Sequence, residues 1–166
     1  MRNASECEIA YAAGFFDGEG HIRIQSHSKR CRTMMLSVSA VQATEFPLDF
    51  FVDIFGGTLS FRWIKYKDGV RPLYTWQASS MCAEEFIKRI LPYLKAKKDE
   101  AELAIKFRET FRPQHVSQKE QFKRIDNKII EFRSNLSDDL KKLRKDKRNK
   151  VIKDNFTDIP ISECWK

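Results

Sequence analysis

The hydrophobic pattern of the chain changes its period several times, and each change predicts a change of secondary structure. Apolar side chains recur every second residue in a predicted strand and every third or fourth residue in a predicted helix. Helices are predicted at about 5–17, 45–55, 81–91, 97–111 and 119–133. Strands are predicted at 21–27, 33–41, 58–66 and 73–79, with turns at 28–32 and 67–69.

The resulting order of elements, α-β-β-α-β-β-α followed by further helix, predicts an α+β fold. Two hairpins would form one antiparallel sheet with the helices packed on one face. We expect residues 1–166 to form a single domain, with a core at about 5–112 and a helical, basic extension at 113–166. The basic segment 141–150 within it is typical of a helix that contacts phosphates or is simply solvated.

Each predicted strand has an apolar face, which should pack against the helices, and a polar face that stays open. In the third strand Leu59, Phe61 and Trp63 are predicted to face the helices, and Ser60 and Arg62 to face away. The open face is predicted to carry these side chains: Arg23, Gln25, His27, Thr33, Ser37, Ser39, Ser60, Arg62, Thr75 and Gln77.

These residue types are suited to reading the base edges of double-stranded DNA. Arginine pairs with guanine, glutamine with adenine, and serine or threonine with either, and a two-stranded β-ribbon fits the major groove. A strand of about nine residues spans roughly 30 Å at ~3.3 Å per residue, which follows about nine base pairs. An ordinary solvated sheet face would carry similar side chains, so polarity alone does not separate the two interpretations.

The charge of the chain favours nucleic acid over a merely solvated face. Lys and Arg number 31 against 23 acidic residues, which gives a formal net charge of +8. Such an excess suits a polyanion, nucleic acid first and an acidic membrane second, and is also compatible with a basic soluble surface. No stretch approaches the length of a membrane span, so we expect no membrane partner.

The cysteines and histidines do not form a recognisable metal-binding pattern. Cys7, Cys31, Cys82 and Cys164 lack the spacing of zinc ligands, and the three histidines do not complete a set. No signal peptide is visible in the first residues. We therefore expect reduced thiols in an intracellular protein, with organellar, bacterial and phage settings all open.

The first predicted helix carries a stripe of small residues. It begins with a capping box from Ser5 to Glu8 and places Ala10, Gly14 and Gly18 at positions i, i+4 and i+8. Another backbone can approach this stripe closely, which offsets a cost of about 1 kcal/mol for each helical glycine. That backbone belongs either to the same domain or to a second copy of the chain, and the presence of only one such helix favours the second copy.

Three segments of the sequence resemble the LAGLIDADG homing endonucleases. "YAAGFFDGEG" at 11–20 resembles the signature motif of that family, with Glu in place of its final Asp. "SAVQATEFPLDFFVDIFGGTLSF" at 39–61 resembles the second strand, a Gln-containing turn and the next helix. "LYTWQASSMCAEEFIKRILPYLKAKKDEAELAIKF" at 73–107 resembles the last strand and a lysine-rich segment. The resemblance covers about 8–110 in the expected order and does not extend past 115.

The resemblance implies a site-specific endonuclease that hydrolyses both strands of a long, partly palindromic DNA site. Family members with a single motif act as homodimers, with a saddle-shaped antiparallel sheet over the duplex. Mg²⁺ is the implied cofactor; Mn²⁺ can replace it, and Ca²⁺ is expected to support binding better than turnover.

The same resemblance assigns roles to individual residues. Glu19 is implied to be a catalytic carboxylate and metal ligand, and the carbonyl of Gly18 a second ligand. Gln42 is implied to orient the water network, and Lys97 to stabilise charge that develops on the phosphate. The carboxylate of Asp17 is expected to be structural and to accept hydrogen bonds from backbone donors near the start of the strand.

Two other functions are compatible with this scaffold. An intron RNA maturase would use the same positive charge to bind folded RNA, and a regulator would bind duplex DNA without cutting it. A pure regulator would be expected to lose the carboxylate, whereas Glu19, Gln42 and Lys97 are all present. Double-stranded DNA is therefore the preferred partner and intron RNA the less favoured one.

Overall fold

The computed structural model describes residues 3–26, 34–111 and 127–156, and the predicted order of elements is confirmed. The helices are α1 (Glu6–Glu19), α2 (Phe46–Phe55), α3 (Ser80–Ile90), α4 (Lys98–Glu109) and α5 (Asn127–Phe156), with a short 3₁₀ helix at Leu91–Tyr93. The strands are β1 (Gly20–Ser26), β2 (Met34–Gln42), β3 (Thr58–Tyr66) and β4 (Gly69–Ser79).

The strands form one antiparallel sheet in the order β1-β2-β4-β3. The two hairpins therefore meet along β2 and β4, where Val38 lies opposite Ala78. Both of these side chains are buried on the face that carries the helices. The predicted α+β architecture is confirmed.

Aromatic rings fill the space between the sheet and the helices. Trp76 of β4 is fully buried, and its ring centroid lies 5.0 Å from that of Phe51 and 4.9 Å from that of Phe86. Phe16 of α1 also contacts Phe86, with ring centroids 4.9 Å apart. Trp76 Nε1 donates to the carbonyl of Gly56 at 2.7 Å, so its one polar atom is satisfied. This cluster holds α1, α2 and α3 against the sheet.

Helix α1 ends later than predicted, at Glu19 instead of about Asp17. Gly18 remains helical, and the change to extended backbone occurs at Gly20, which has φ −79° and ψ 156°. A Cβ atom at Gly20 would overlap the ring and the carbonyl oxygen of Phe16. The turn of the chain into β1 therefore depends on the missing side chain at Gly20.

The prediction that Phe61 and Trp63 pack against the helices is wrong. Both lie on the helix side of the sheet, but they are 62% and 65% exposed. Leu59, at the start of β3, packs on the core, and the helices that the structure describes leave Phe61 and Trp63 further along this edge strand uncovered. Phe61 instead contacts Trp63 and Tyr74, with centroids 6.4 and 6.0 Å apart.

The described part of the C-terminal extension, 127–156, forms one long helix where the sequence predicts a helix at 119–133 and a separate basic segment. Helix α5 runs without a break through 141–150, because Leu136 and Leu140 continue its apolar stripe into the core. Residues 119–126 of the predicted helix lie outside the described residues.

Helix α5 covers the outer edge of β1. The hydroxyl of Ser137 donates to the carbonyl of Ile24 at 2.9 Å, and Arg144 Nη2 donates to the carbonyl of Ile22. Two backbone acceptors of an edge strand are thereby satisfied by side chains instead of by another strand.

The Asp17 carboxylate ties the end of α1 to the segment that precedes α4. It accepts hydrogen bonds from the backbone N–H groups of Lys95 at 2.7 Å, Ala96 at 3.1 Å and Lys97 at 2.9 Å. A structural role for Asp17 was predicted, but its donors precede α4 and do not lie at the start of the strand. Three donors around one carboxylate compensate for its unfavourable position at the negative end of a helix.

Replacing Asp17 by alanine is expected to lower the free energy of unfolding by about 1–3 kcal/mol, because three backbone donors lose one shared acceptor. The matched control is Asp53→Ala, which removes an exposed carboxylate from the same position in the last turn of α2. We expect that control to change stability by no more than about 0.5 kcal/mol. Urea unfolding followed by circular dichroism measures the stability of both variants. Equal losses of stability would contradict a structural role for the Asp17 hydrogen bonds.

Candidate nucleic-acid interface and acidic site

The strand register places the predicted open-face side chains on one side of the sheet. Residues that lie opposite each other in antiparallel strands share a face. Arg23 lies opposite Ser37, Ser39 opposite Gln77, and Ser60 opposite Thr75. Gln25 and Arg62 have the same alternation within β1 and β3 and join this face. His27 and Thr33 lie outside the described residues.

Most of these side chains surround a groove of about 460 Å³. The residues that line it are Arg23, Ser39, Val41, Ser60, Phe61, Arg62, Thr75 and Gln77. Ser37 faces the same side but is only 5% exposed, so its hydroxyl offers little to a ligand. Val41 was not predicted to line this side of the sheet, and it adds apolar surface to a groove of arginine, amide and hydroxyl groups. Phe61 borders the groove although its position in β3 alternates onto the helix side.

Glu19 lies at the end of this face, where α1 passes into β1. It is the last residue of α1 and is exposed. The next residues along β1 that alternate onto the open face are His21, Arg23 and Gln25. Glu19 therefore directly precedes, in sequence, the strand that carries these open-face residues.

Lys97 is brought to the same helix end. Its ammonium donates to the carbonyl of Asp17 and interacts electrostatically with Glu19. Burial lowers the pKa of Lys97, and the carboxylates of Glu100 and Asp17 oppose that shift. Two groups predicted to act together, from segments far apart in the sequence, are thus neighbours.

Gln42 lies at the end of β2, on the same side of the molecule as the junction of α1 and β1. The pairing of Gly20 with Ala40 places the end of β2 beside that junction. The side-chain oxygen of Gln42 accepts a hydrogen bond from the backbone of Ala43 at 2.8 Å. The register places Gln42 on the helix side of the sheet, with Ala40 and opposite Tyr74, so the structure puts it near the junction without directing its side chain to the open face.

His21 and Arg144 also belong to this region, and neither was predicted as a site residue. The Nε2 atom of His21 lies 3.5 Å from Nη1 of Arg144. Burial lowers the pKa of His21, and the charges of Arg144 and Arg23 lower it further. The alternation of residues in β1 indicates that His21 faces the same side as Arg23. No local sequence pattern connects Arg144 with β1, which lies more than a hundred residues earlier.

The small-residue stripe of α1 lies on the surface of the described chain. Gly14 and Gly18 are exposed, and a Cβ atom built on either would meet no described atom within 4 Å. The adjacent Tyr11 is 52% exposed. Among the residues that the structure describes, close packing within the domain therefore does not account for these glycines.

The described segments contain no metal-binding cluster and no membrane-spanning helix. They contain no set of three or more His, Cys, Asp or Glu side chains arranged to hold a metal ion. No helix in them is long and apolar enough to cross a bilayer. Cys7 and Cys82 are free thiols at the surface, and the other two cysteines fall outside the described ranges.

Comparison with known proteins identifies the fold through structure and not through sequence. No family model and no curated protein matches the chain. The homing endonuclease I-CvuI, in complex with a target DNA and Ca²⁺, has a TM-score of 0.63 at 22% identity, with 82% of each chain covered. I-CvuI with the I-CreI target and Mg²⁺, in which the DNA is not cleaved, has a TM-score of 0.60 at 20% identity, over 83% of this chain and 82% of that one.

A third neighbour comes from an archaeon. The intron-encoded homing endonuclease I-Vdi141I, complexed with DNA, has a TM-score of 0.62 at 12% identity and covers 82% of this chain and 84% of its own. All three share the sheet and helix arrangement over most of their length. The chain therefore has the fold of the LAGLIDADG homing endonucleases.

Proposed function

We propose that the protein is a site-specific DNA endonuclease that acts as a homodimer and hydrolyses phosphodiester bonds with Mg²⁺. The observation that carries this proposal is the position of Glu19. Glu19 is an exposed carboxylate at the negative end of a helix, within electrostatic reach of Lys97, and it directly precedes the strand that supplies Arg23 to the groove. A divalent cation together with a polyanion would stabilise a carboxylate in that position. The structural neighbours support the choice of polyanion, since they hold DNA.

The groove suits a duplex. The strand β3 has nine residues, and at ~3.3 Å per residue it spans roughly 30 Å of the ligand. Arg23 and Arg62 provide guanidinium groups, and Gln77 provides an amide, on a surface of a chain with net charge +8. These donors and acceptors match base edges in the major groove.

A second copy of the chain would complete the acidic site. Each copy contributes one Glu19, and the exposed stripe of Ala10, Gly14 and Gly18 permits two α1 helices to approach closely. Two helix ends with two carboxylates would repel each other without divalent cations between them. The dimer and the metal are therefore linked parts of one proposal.

The residues present fit Mg²⁺. The donors at the end of α1 are oxygen atoms only, the carboxylate of Glu19 and the carbonyl of Gly18, and Mg²⁺ prefers such a set completed by water and phosphate. If bound there, Mg²⁺ would lower the pKa of a water and stabilise the leaving oxygen. The same oxygen donors accept Mn²⁺, and the larger Ca²⁺ is expected to support binding better than turnover.

The chain itself supplies position and charge. Glu19 would supply the carboxylate that binds the metal at the end of α1. The Lys97 ammonium would stabilise negative charge that develops on the phosphate. Gln42 has an amide with both donors and an acceptor, which suits the orientation of water.

Glu19→Gln is expected to separate DNA binding from cutting. The amide is nearly isosteric, so dimerisation and affinity for a target duplex should be kept, while cleavage falls by several orders of magnitude, roughly 10³-fold or more, because a metal ligand is lost. A gel shift and a plasmid-cutting assay measure the two properties side by side. The control is Glu109→Gln, an exposed carboxylate at the last residue of α4. Near-wild-type cutting by Glu19→Gln would refute the metal-nuclease proposal.

Gly14→Leu is expected to convert the dimer to monomers. The structure has space around Gly14 in the single chain, so the variant should fold, while the leucines of two copies would hold their helices apart. Analytical ultracentrifugation gives the mass and circular dichroism the fold. Glu102→Leu adds the same side chain at an exposed position of α4 and should stay dimeric. A dimeric, active Gly14→Leu variant would show that the interface lies elsewhere.

Arg62→Ala is expected to weaken binding to the preferred target by roughly 1–3 kcal/mol and to relax the preference at one symmetric pair of base positions. Lys65→Ala is the control, because Lys65 lies three residues along the same strand on the opposite face. Selection of bound duplexes from a randomised library measures both variants. An equal loss of affinity for every sequence would assign Arg62 to phosphate contacts only.

A further inference from the structure

The Glu100 carboxylate is almost completely removed from solvent. Glu100 lies in the first turn of α4 and is only 5% exposed. A buried carboxylate needs a charged or hydrogen-bonding partner, since the cost of desolvating it alone is large. Its partner is Arg144 of α5, whose Nε donates to Oε2 of Glu100 at 2.7 Å.

Lys97 carries a second cation within electrostatic reach of the same carboxylate. It lies three residues before Glu100, a spacing that brings side chains together at a helix start. Among the charges that act on Lys97, Glu100 has the largest stabilising influence on its ammonium. The ammonium nevertheless donates to the carbonyl of Asp17, at the end of α1 beside Glu19. Arg144 is therefore the residue that pairs with the Glu100 carboxylate, and the Lys97 ammonium stays at the end of α1.

The guanidinium of Arg144 is held in place by two further groups. Nη2 donates to the carbonyl of Ile22, and Nη1 lies 3.5 Å from the ring of His21. One turn later, Lys147 donates to the carbonyl of Ala96 at 2.7 Å. Helix α5 is thus attached to β1 and to the segment that carries Lys97, and a planar guanidinium suits these simultaneous contacts better than an ammonium.

We propose that Arg144 is a positioning residue, which pairs with Glu100 and so leaves the Lys97 ammonium free to act on the phosphate. This inference rests on the proposed nuclease function and extends it to a helix outside the three sequence segments that resemble the homing endonucleases. Without Arg144, the buried Glu100 carboxylate would take Lys97 as its partner and withdraw it from the end of α1. The role of Arg144 is indirect, since it acts through Glu100.

Single-turnover cleavage tests the proposal. Arg144→Gln is expected to slow cleavage by roughly 10–100-fold, as loss of an outer partner of a catalytic group commonly does, with a much smaller change in DNA affinity. The double variant Arg144→Gln/Glu100→Gln removes the competing carboxylate as well and is expected to recover most of the lost rate. Lys88→Gln is the matched control, because it also removes one cation from a carboxylate, Glu84, on α3. A double variant as slow as the single variant would overturn the positioning role.

Amine labelling of Lys97 tests the same step without cleavage. Under limiting acetic anhydride, with mass spectrometry to resolve each lysine, Lys97 should be labelled several-fold less in Arg144→Gln, because a salt bridge to Glu100 protects it. Labelling should return in the double variant, and Arg144→Lys, which keeps a cation at Glu100, should resemble the wild type. Unchanged labelling of Lys97 in folded Arg144→Gln, or strong protection in Arg144→Lys, would overturn the inference. A wild type that cuts no DNA would refute the nuclease proposal and leave this labelling result valid.

Discussion

The hydrogen bonds of the Asp17 carboxylate are the constraint on which the proposed site depends. They join the end of α1 to the backbone of residues 95–97, which lie 78 to 80 positions later in the chain. Glu19 follows Asp17 by two residues, and Lys97 is itself one of the three donors. One half-buried carboxylate thus links the backbone that carries the proposed metal ligand to the backbone that carries Lys97.

The charges at the C-terminal end of α1 are neutralised by a series of partners. The negative pole of α1 and its carboxylates meet the backbone donors before α4 and the ammonium of Lys97. Behind Lys97, Glu100 is paired with Arg144 from the C-terminal helix. Among the described groups at this helix end, Glu19 is the carboxylate exposed at the surface, just before β1 begins. In the proposed complex a divalent cation and a DNA phosphate would balance it.

Local patterns were sufficient to predict the order of elements and the composition of the open face. A period of two is a property of neighbouring residues, so the common face of Arg23, Ser39 and Gln77 could be predicted from sequence and agrees with the register. The end of α1 was placed too early, because Gly18 suggests a break whereas the steric restriction actually occurs at Gly20, under the ring of Phe16.

Features that depend on how the helices pack on the sheet could not be predicted from local sequence patterns. Trp63 is exposed because the described helices do not cover that part of β3. Ser37 is buried although it lies on the open face, which its position in the alternation does not predict. The contacts of Arg144 with β1 and α4 join segments 44 to 123 residues apart, and no spacing within the basic segment distinguishes this arginine from its solvated neighbours.

The central claim is that this fold carries a metal-dependent, sequence-specific nuclease. Incubation of the wild-type protein with a randomised duplex library and Mg²⁺, followed by sequencing of the cut ends, tests it most directly. The account predicts cut ends that cluster in one partly palindromic site, with half-sites of about nine base pairs, and no cutting when EDTA is present. Cutting that persists in EDTA, cut ends without a common sequence, or an intact library would contradict it.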